Sequence, residues 1–151
     1  MKDKICCFTG HRDIPATDYD RIQTKLELTL IPLIHNGVHT FYDGGARGFD
    51  MLAAMTVCKL RAQFPDVRLI WALPYKSESG AGEKIYDSIL GAGDRIVYVS
   101  ENYHGGCMHA RNRYMVDHSG ICVCYMTHAG GGTAYTVDYA AKKGLTIIPI
   151  D

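Results

Sequence analysis

The chain has 151 residues, enough for one domain that buries roughly two thirds of its unfolded surface without disulfide or metal staples. Its 16 Lys and Arg balance 16 Asp and Glu, so no global field draws it to DNA or to an anionic membrane, and a nucleic-acid role would need a local patch. No apolar run approaches the roughly 18 residues of a membrane span, and Met1 to Lys4 lead into a short apolar strand rather than a signal core, so a cytosolic protein without membrane partners is expected.

Ile5 to Thr9 reads as a buried strand. Asp18 to His35 carries Ile22, Leu26, Leu30, Leu33 and Ile34 at helical spacing and stops at Asn36-Gly37, with Pro32 predicting a kink or an early end. A strand over Val38 to Tyr42 precedes a helix over Phe49 to Gln63, closed by Pro65. Val67 to Leu73 is the third strand. A polar loop from Pro74 to Gly82 leads to a short helix around Glu83 to Leu90, then to a strand over Arg95 to Val99. A helix from Cys107 to Asp117, a strand over Ile121 to Tyr125, a helix over Thr133 to Lys143 and a strand over Thr146 to Ile150 complete the chain. This alternation predicts an α/β fold: a three-layer, Rossmann-like domain whose mainly parallel six-stranded sheet has the order 4-3-2-1-5-6.

Three predicted strands end in glycine-bearing turns. Asp43-Gly44-Gly45-Ala46-Arg47-Gly48-Phe49-Asp50 opens into a helix, as does His128-Ala129-Gly130-Gly131-Gly132-Thr133, and Thr9-Gly10-His11-Arg12 follows the first strand. Glycine lets backbone N–H groups approach a ligand closely, and a helix N-terminus adds partial positive charge, so such turns bind phosphate. Parallel strands bring their carboxyl ends to one edge, which predicts one shared site. Arg12 and Arg47 are candidate phosphate contacts because guanidinium matches phosphate in a bidentate fork. Arg111 and Arg113 lie two apart at a helix start and cannot share one face; one is expected at the ligand and the other on an acid such as Asp117.

Asp50, near a helix N-terminus, either caps backbone N–H groups or, if the ligand contains ribose, accepts hydrogen bonds from its hydroxyls. With His11 it is also a candidate for acid–base chemistry; Asp43 and Asp138 are further carboxylates, and Tyr75, Tyr103 and Tyr135 are candidates for stacking on a base. The six cysteines read as buried reduced thiols. His104-Gly105-Gly106-Cys107-Met108-His109 matches no standard zinc spacing, and no metal is expected.

The turn at Asp43 to Asp50 resembles the DprA-type Ser-Gly-Gly-Ala-Arg-Gly-Ile-Asp motif, and Ala110-Arg111-Asn112-Arg113-Tyr114-Met115 is similar to that family's Arg-Asn-Arg helix start. Together they identify residues 1–151 as resembling a single domain of the SLOG superfamily, named for the Smf/DprA and LOG proteins. Phe8-Thr9-Gly10-His11-Arg12 and the short chain look most like the stand-alone YpsA-type branch. The resemblance implies a nucleotide or nucleotide-derivative ligand, such as an ADP-ribose-like molecule, with no certain cofactor. Phosphate would be held by Gly10, His11, Arg12, Gly44, Gly45, Ala46, Arg47, Gly48, Asp50, Arg111, Arg113, Gly130, Gly131, Gly132 and Thr133. It also implies a homodimer, since superfamily members commonly associate.

LOG enzymes carry Pro-Gly-Gly-x-Gly-Thr-x-x-Glu, and Thr136 occupies the position of that Glu here, so phosphate binding is expected to persist and LOG chemistry to be lost. The leading expectation is a cytosolic nucleotide-binding protein or sensor. The alternatives are a nucleotide N-glycosidase or ribosyl-transferring enzyme of LOG type and a DprA-like single-stranded-DNA binder.

Overall fold

The computed structural model describes residues 1–76 and 89–151; the predicted helix around Glu83 to Leu90 and most of the loop before it lie outside the described residues. The elements are β1 (Ile5–Gly10), α1 (Tyr19–His35), β2 (Thr40–Asp43), α2 (Phe49–Leu60), β3 (Arg68–Leu73), β4 (Arg95–Tyr98), α3 (Cys107–Asp117), β5 (Ile121–Tyr125), α4 (Gly131–Lys142) and β6 (Thr146–Ile150). All strand pairs are parallel and the sheet order is β4-β3-β2-β1-β5-β6, as the alternation predicts. Helix α1 runs on through Pro32, whose missing N–H takes the helical donor from the Leu28 carbonyl; Leu28 lies on the exposed side of the helix. Helix α2 ends at Leu60, earlier than expected, and the chain turns there as Phe64 N–H donates to the Leu60 carbonyl at 2.9 Å.

Burial on both faces explains the near-continuous apolar strands. Cys6 and Phe8 of β1 point to one face with Phe41, Leu69 and Val123, where they meet Ile22, Leu26 and Leu30 of α1 and Leu52 and Val57 of α2. Cys7 points to the other with Tyr42, Cys122 and Cys124, against Met115 and Val116 of α3 and Ala140 of α4. The carboxyl ends of β1, β2 and β5 therefore emerge together in mid-sheet, beside the starts of α2, α3 and α4.

At that edge β1 and α2 meet without a gap. A Cβ on Gly10 would overlap the Phe49 side chain, and one on Gly48, whose φ is +80°, would overlap the Arg12 carbonyl. Phe49 N–H also donates to the His11 carbonyl at 3.1 Å. Overpacking a buried contact of this kind costs about 1–3 kcal/mol. Gly10→Ala and Gly48→Ala should each lower the urea midpoint accordingly, whereas Gly132→Ala, with open space around its Cβ position, should leave it within about 0.5 kcal/mol of wild type.

Cys6, Cys7, Cys122 and Cys124 are buried free thiols on β1 and β5. Burial raises the Cys6 and Cys124 thiols; a hydrogen bond with Cys7, then burial, raises Cys122 well above the usual thiol range. Only thiolate reacts appreciably. Reaction of these four with a thiol reagent should follow the global unfolding rate as urea increases; a fast phase assigned to any of them in native protein would contradict the assignment.

Candidate functional site

A cleft of about 260 Å³ opens at the carboxyl edge of the sheet. Thr9, Gly10, His11 and Arg12 line it from the end of β1, Ala46 and Asp50 from the start of α2, Met108, His109, Arg111 and Asn112 from α3, and Gly132 and Thr133 from α4. Three helix N-termini thus border one cavity, an arrangement whose partial positive charge favours an anion.

The two glycine turns differ in what their N–H groups do. In the turn after β2, Gly45 N–H donates to Asp43 Oδ1 at 2.9 Å and Ala46 N–H to Asp50 Oδ2 at 3.2 Å. The protein's own carboxylates therefore occupy donors that the sequence pattern assigns to a ligand. The Arg111 guanidinium lies across the same turn: Nη1 donates to the Gly44 carbonyl, and a Cβ on Gly44 would stand 2.7 Å from that nitrogen. Arg111 Nε donates to Asn112 Oδ1 at 2.6 Å, which fixes the guanidinium plane. In the turn after β5, Gly130 and Gly131 take φ of +97° and +80°, and among the described residues no side chain caps the helix and nothing lies within 4 Å of the Cβ positions of Gly130, Gly131 or Gly132. The first N–H groups of α4 have no acceptor within the helix, and Gly132 and Thr133 of that turn face the cavity.

Of the residues selected from sequence, Gly10, His11, Arg12, Ala46, Asp50, Arg111, Gly132 and Thr133 meet at the cleft, while Gly44, Gly45, Arg47, Gly48, Arg113, Gly130 and Gly131 do not line it. Arg47 points outward to Asp13, 3.4 Å away. The two α3 arginines are placed differently: Arg111 is buried and lines the cleft, whereas Arg113 donates to the Tyr135 hydroxyl at 3.1 Å. Asp117 instead accepts from the Tyr139 hydroxyl, and Asp138 pairs with Lys142. Tyr75 and Tyr103 pack edge to face on each other, and Tyr135 packs on His109. Thr136 is buried and its hydroxyl donates to the Gly132 carbonyl at 2.8 Å, so it serves the helix rather than the cleft.

Met108, His109 and Asn112 were absent from the sequence-based set, because no spacing rule tells which face of α3 looks into the cleft. The His11 ring stacks on His128 with centroids 4.0 Å apart, and its Nε2 is buried without a hydrogen-bond partner among the described residues. Burial, then the neighbouring His128, lowers its pKa and favours the neutral ring.

Asp43 and Asp50 form a buried acidic pair. Burial, reinforced by the charge of Asp50, drives Asp43 well above the usual carboxylate range, and its Oδ2 has no partner among the described residues. Burial raises Asp50 to about 6, opposed by Arg111, the Ala46 N–H and Arg12.

The YpsA (YspA SLOG) family model matches residues 6–147, and the chain belongs to that family. It is 30% identical over 142 residues to the uncharacterized SPbeta prophage-derived protein YoqJ of Bacillus subtilis, covering 83% of each chain. Among solved structures it is similar to DNA processing protein A (DprA) of Streptococcus pneumoniae, with a TM-score of 0.66 and 17% identity over 95% of this chain and 49% of that one. It is also similar to DprA of Helicobacter pylori, a structure describing single-stranded-DNA binding, with a TM-score of 0.68 and 17% identity over 96% of this chain and 64% of that one. The chain thus spans about half of the S. pneumoniae chain and less than two thirds of the H. pylori chain, and these likenesses define the fold. No helix among the described residues is long and apolar enough to cross a membrane.

The pKa of Asp50 has a consequence for stability. Its native value lies above the unfolded value of 3.8, so between pH 3.8 and about 6 the native state holds more protons than the unfolded state, and stability falls as pH rises through that window. The upper limit is about 3 kcal/mol at 1.36 kcal/mol per pH unit. Urea unfolding at pH 4 and pH 7 should show Asp50→Asn with a flatter profile than wild type and a relative gain at pH 7. A profile as steep as wild type would place the carboxylate in a solvated environment.

Proposed function

We propose that the protein binds a nucleotide or nucleotide derivative, with its phosphate at the N-terminus of α4 against Gly132 and Thr133 and within reach of Arg12 and Arg111. The observation that carries this reading is the contrast between the two turns: Asp43 and Asp50 already fill N–H groups of the first, whereas Gly132 and Thr133 of the second face a cavity bordered by two arginines. Phosphate needs N–H donors and positive charge together. A role as a sensor fits better than LOG-type hydrolysis, because the residue at the LOG glutamate position, Thr136, spends its hydroxyl on the Gly132 carbonyl.

The DprA-like alternative has less support. Balanced charge and a cleft of about 260 Å³ suit a small ligand better than a polynucleotide backbone, which is held by extended cationic surface. A homodimer remains the proposal that the family resemblance suggests.

Calorimetry with inorganic phosphate, nucleoside 5′-monophosphates and ADP-ribose tests the reading, beside thermal melts. Wild type should bind at least one nucleotide more tightly than phosphate. Gly132→Leu, which projects into the open cavity, should abolish binding while leaving the protein folded. Arg12→Ala should weaken binding roughly tenfold to a hundredfold, the equivalent of a charge-assisted hydrogen bond of about 1.5–3 kcal/mol. Unchanged affinity in folded Gly132→Leu would remove α4 from the site.

A further inference from the structure

We propose that Asp50 is the sugar-recognising residue of this cleft, accepting hydrogen bonds from the vicinal hydroxyls of a ribose whose 5-phosphate lies at the start of α4. The proposal rests on the phosphate reading above and specifies the ligand further: a ribose phosphate with an intact diol rather than a deoxyribose phosphate.

Three observations support the assignment. First, Asp50 lies on the cleft wall although its side chain belongs to a residue only 6% exposed, so the cavity is where the carboxylate can gain a partner from outside the chain. The Ala46 N–H donates to Oδ2 at 3.2 Å and the Arg111 charge also acts on this carboxylate, whose two oxygens can accept about four hydrogen bonds. Second, the cleft is polarised. Gly132, Thr133 and Arg12 supply donors and positive charge, whereas Asp50 supplies an acceptor that repels phosphate. A ligand satisfying both must place a neutral donor a short distance from its anion. A pentose 5-phosphate does so, with hydroxyls on the ring and charge on the exocyclic carbon. Third, burial destabilises the Asp50 carboxylate in the free protein, and donated hydroxyl hydrogen bonds stabilise the charged form. Ligand binding near pH 6 should therefore release protons.

Asp43 provides the internal comparison. It is equally acidic in type and fully buried, but it accepts from Gly45 N–H and does not line the cleft. A general electrostatic influence of the acidic pair would appear in both variants; contact with the sugar would appear only at Asp50.

The test uses two base-free probes of equal charge, ribose 5-phosphate and 2-deoxyribose 5-phosphate, titrated calorimetrically into wild type, Asp50→Asn, Asp43→Asn and Gly132→Leu. Asn retains an oxygen acceptor for the Ala46 N–H, and thermal melts verify folding. Wild type should favour the ribose probe roughly tenfold to a hundredfold, as expected for loss of a hydrogen bond to a charged group. Asp50→Asn should bring the two affinities within about threefold of each other. Asp43→Asn should keep the preference, and Gly132→Leu should weaken both probes alike. Equal affinities in wild type, or a preference that survives in Asp50→Asn, would overturn the sugar assignment while leaving the phosphate site standing. If neither probe binds wild type, both readings fall; if both bind and only the discrimination is missing, the sugar assignment alone falls.

Discussion

Neutralisation of buried charge at the end of β2 organises this edge of the protein. Asp43 and Asp50 are both removed from water, and each holds an N–H of the intervening glycine turn, while Arg111 reaches from α3 to the Gly44 carbonyl and faces the same carboxylates. An isolated buried carboxylate would be strongly unfavourable, so turn, acids and arginine stabilise one another or not at all. The knot joins three elements distant in sequence. It places α3 against the β2–α2 turn, and from that placement Met108, His109 and Asn112 acquire their positions on the cleft.

The same knot separates the roles of two turns that look alike. The glycines of the turn after β2 admit Arg111 and the β1–α1 backbone: Gly44 lies under the guanidinium and Gly48 against the Arg12 carbonyl. The turn after β5 has no such neighbours around Gly130 to Gly132 among the described residues, and Gly130 and Gly131 take positive φ there. Chemically, one turn contributes acceptors to the cavity through Asp50 and the other contributes donors. On the proposed reading, such a site takes a ligand with an anion and a neutral hydroxyl-bearing portion rather than a uniformly charged polymer.

Much of this was legible in the sequence. Strand alternation with helical segments pointed to the parallel sheet, because parallel strands demand crossovers, and the Rossmann-like order expected with it brings the ends of β1, β2 and β5 together. The end of α2 moved from the expected Gln63 to Leu60, whereas α1 reaches His35 as expected because Pro32 is tolerated on its exposed side. The site was legible only by segment. Glycine spacing marks a turn that needs absent side chains, but the reason for the absence can be a ligand, as proposed for Gly132, or the protein's own Arg111, as for Gly44. Only the third dimension separates them. The alternatives for Arg111 and Arg113, two residues apart on α3, likewise required the orientation of that helix. His109 carried no motif and entered through its face alone.

The central claim is that the anion is bound by α4 and not by the first glycine turn, and it is tested most directly by amide NMR of uniformly 15N-labelled protein titrated with inorganic phosphate. The account predicts saturable shifts that are largest at the Gly132 and Thr133 amides, with Gly45 and Ala46 little changed because Asp43 and Asp50 keep their N–H groups. Saturable shifts concentrated at Gly45 and Ala46, with the start of α4 unmoved, would contradict it.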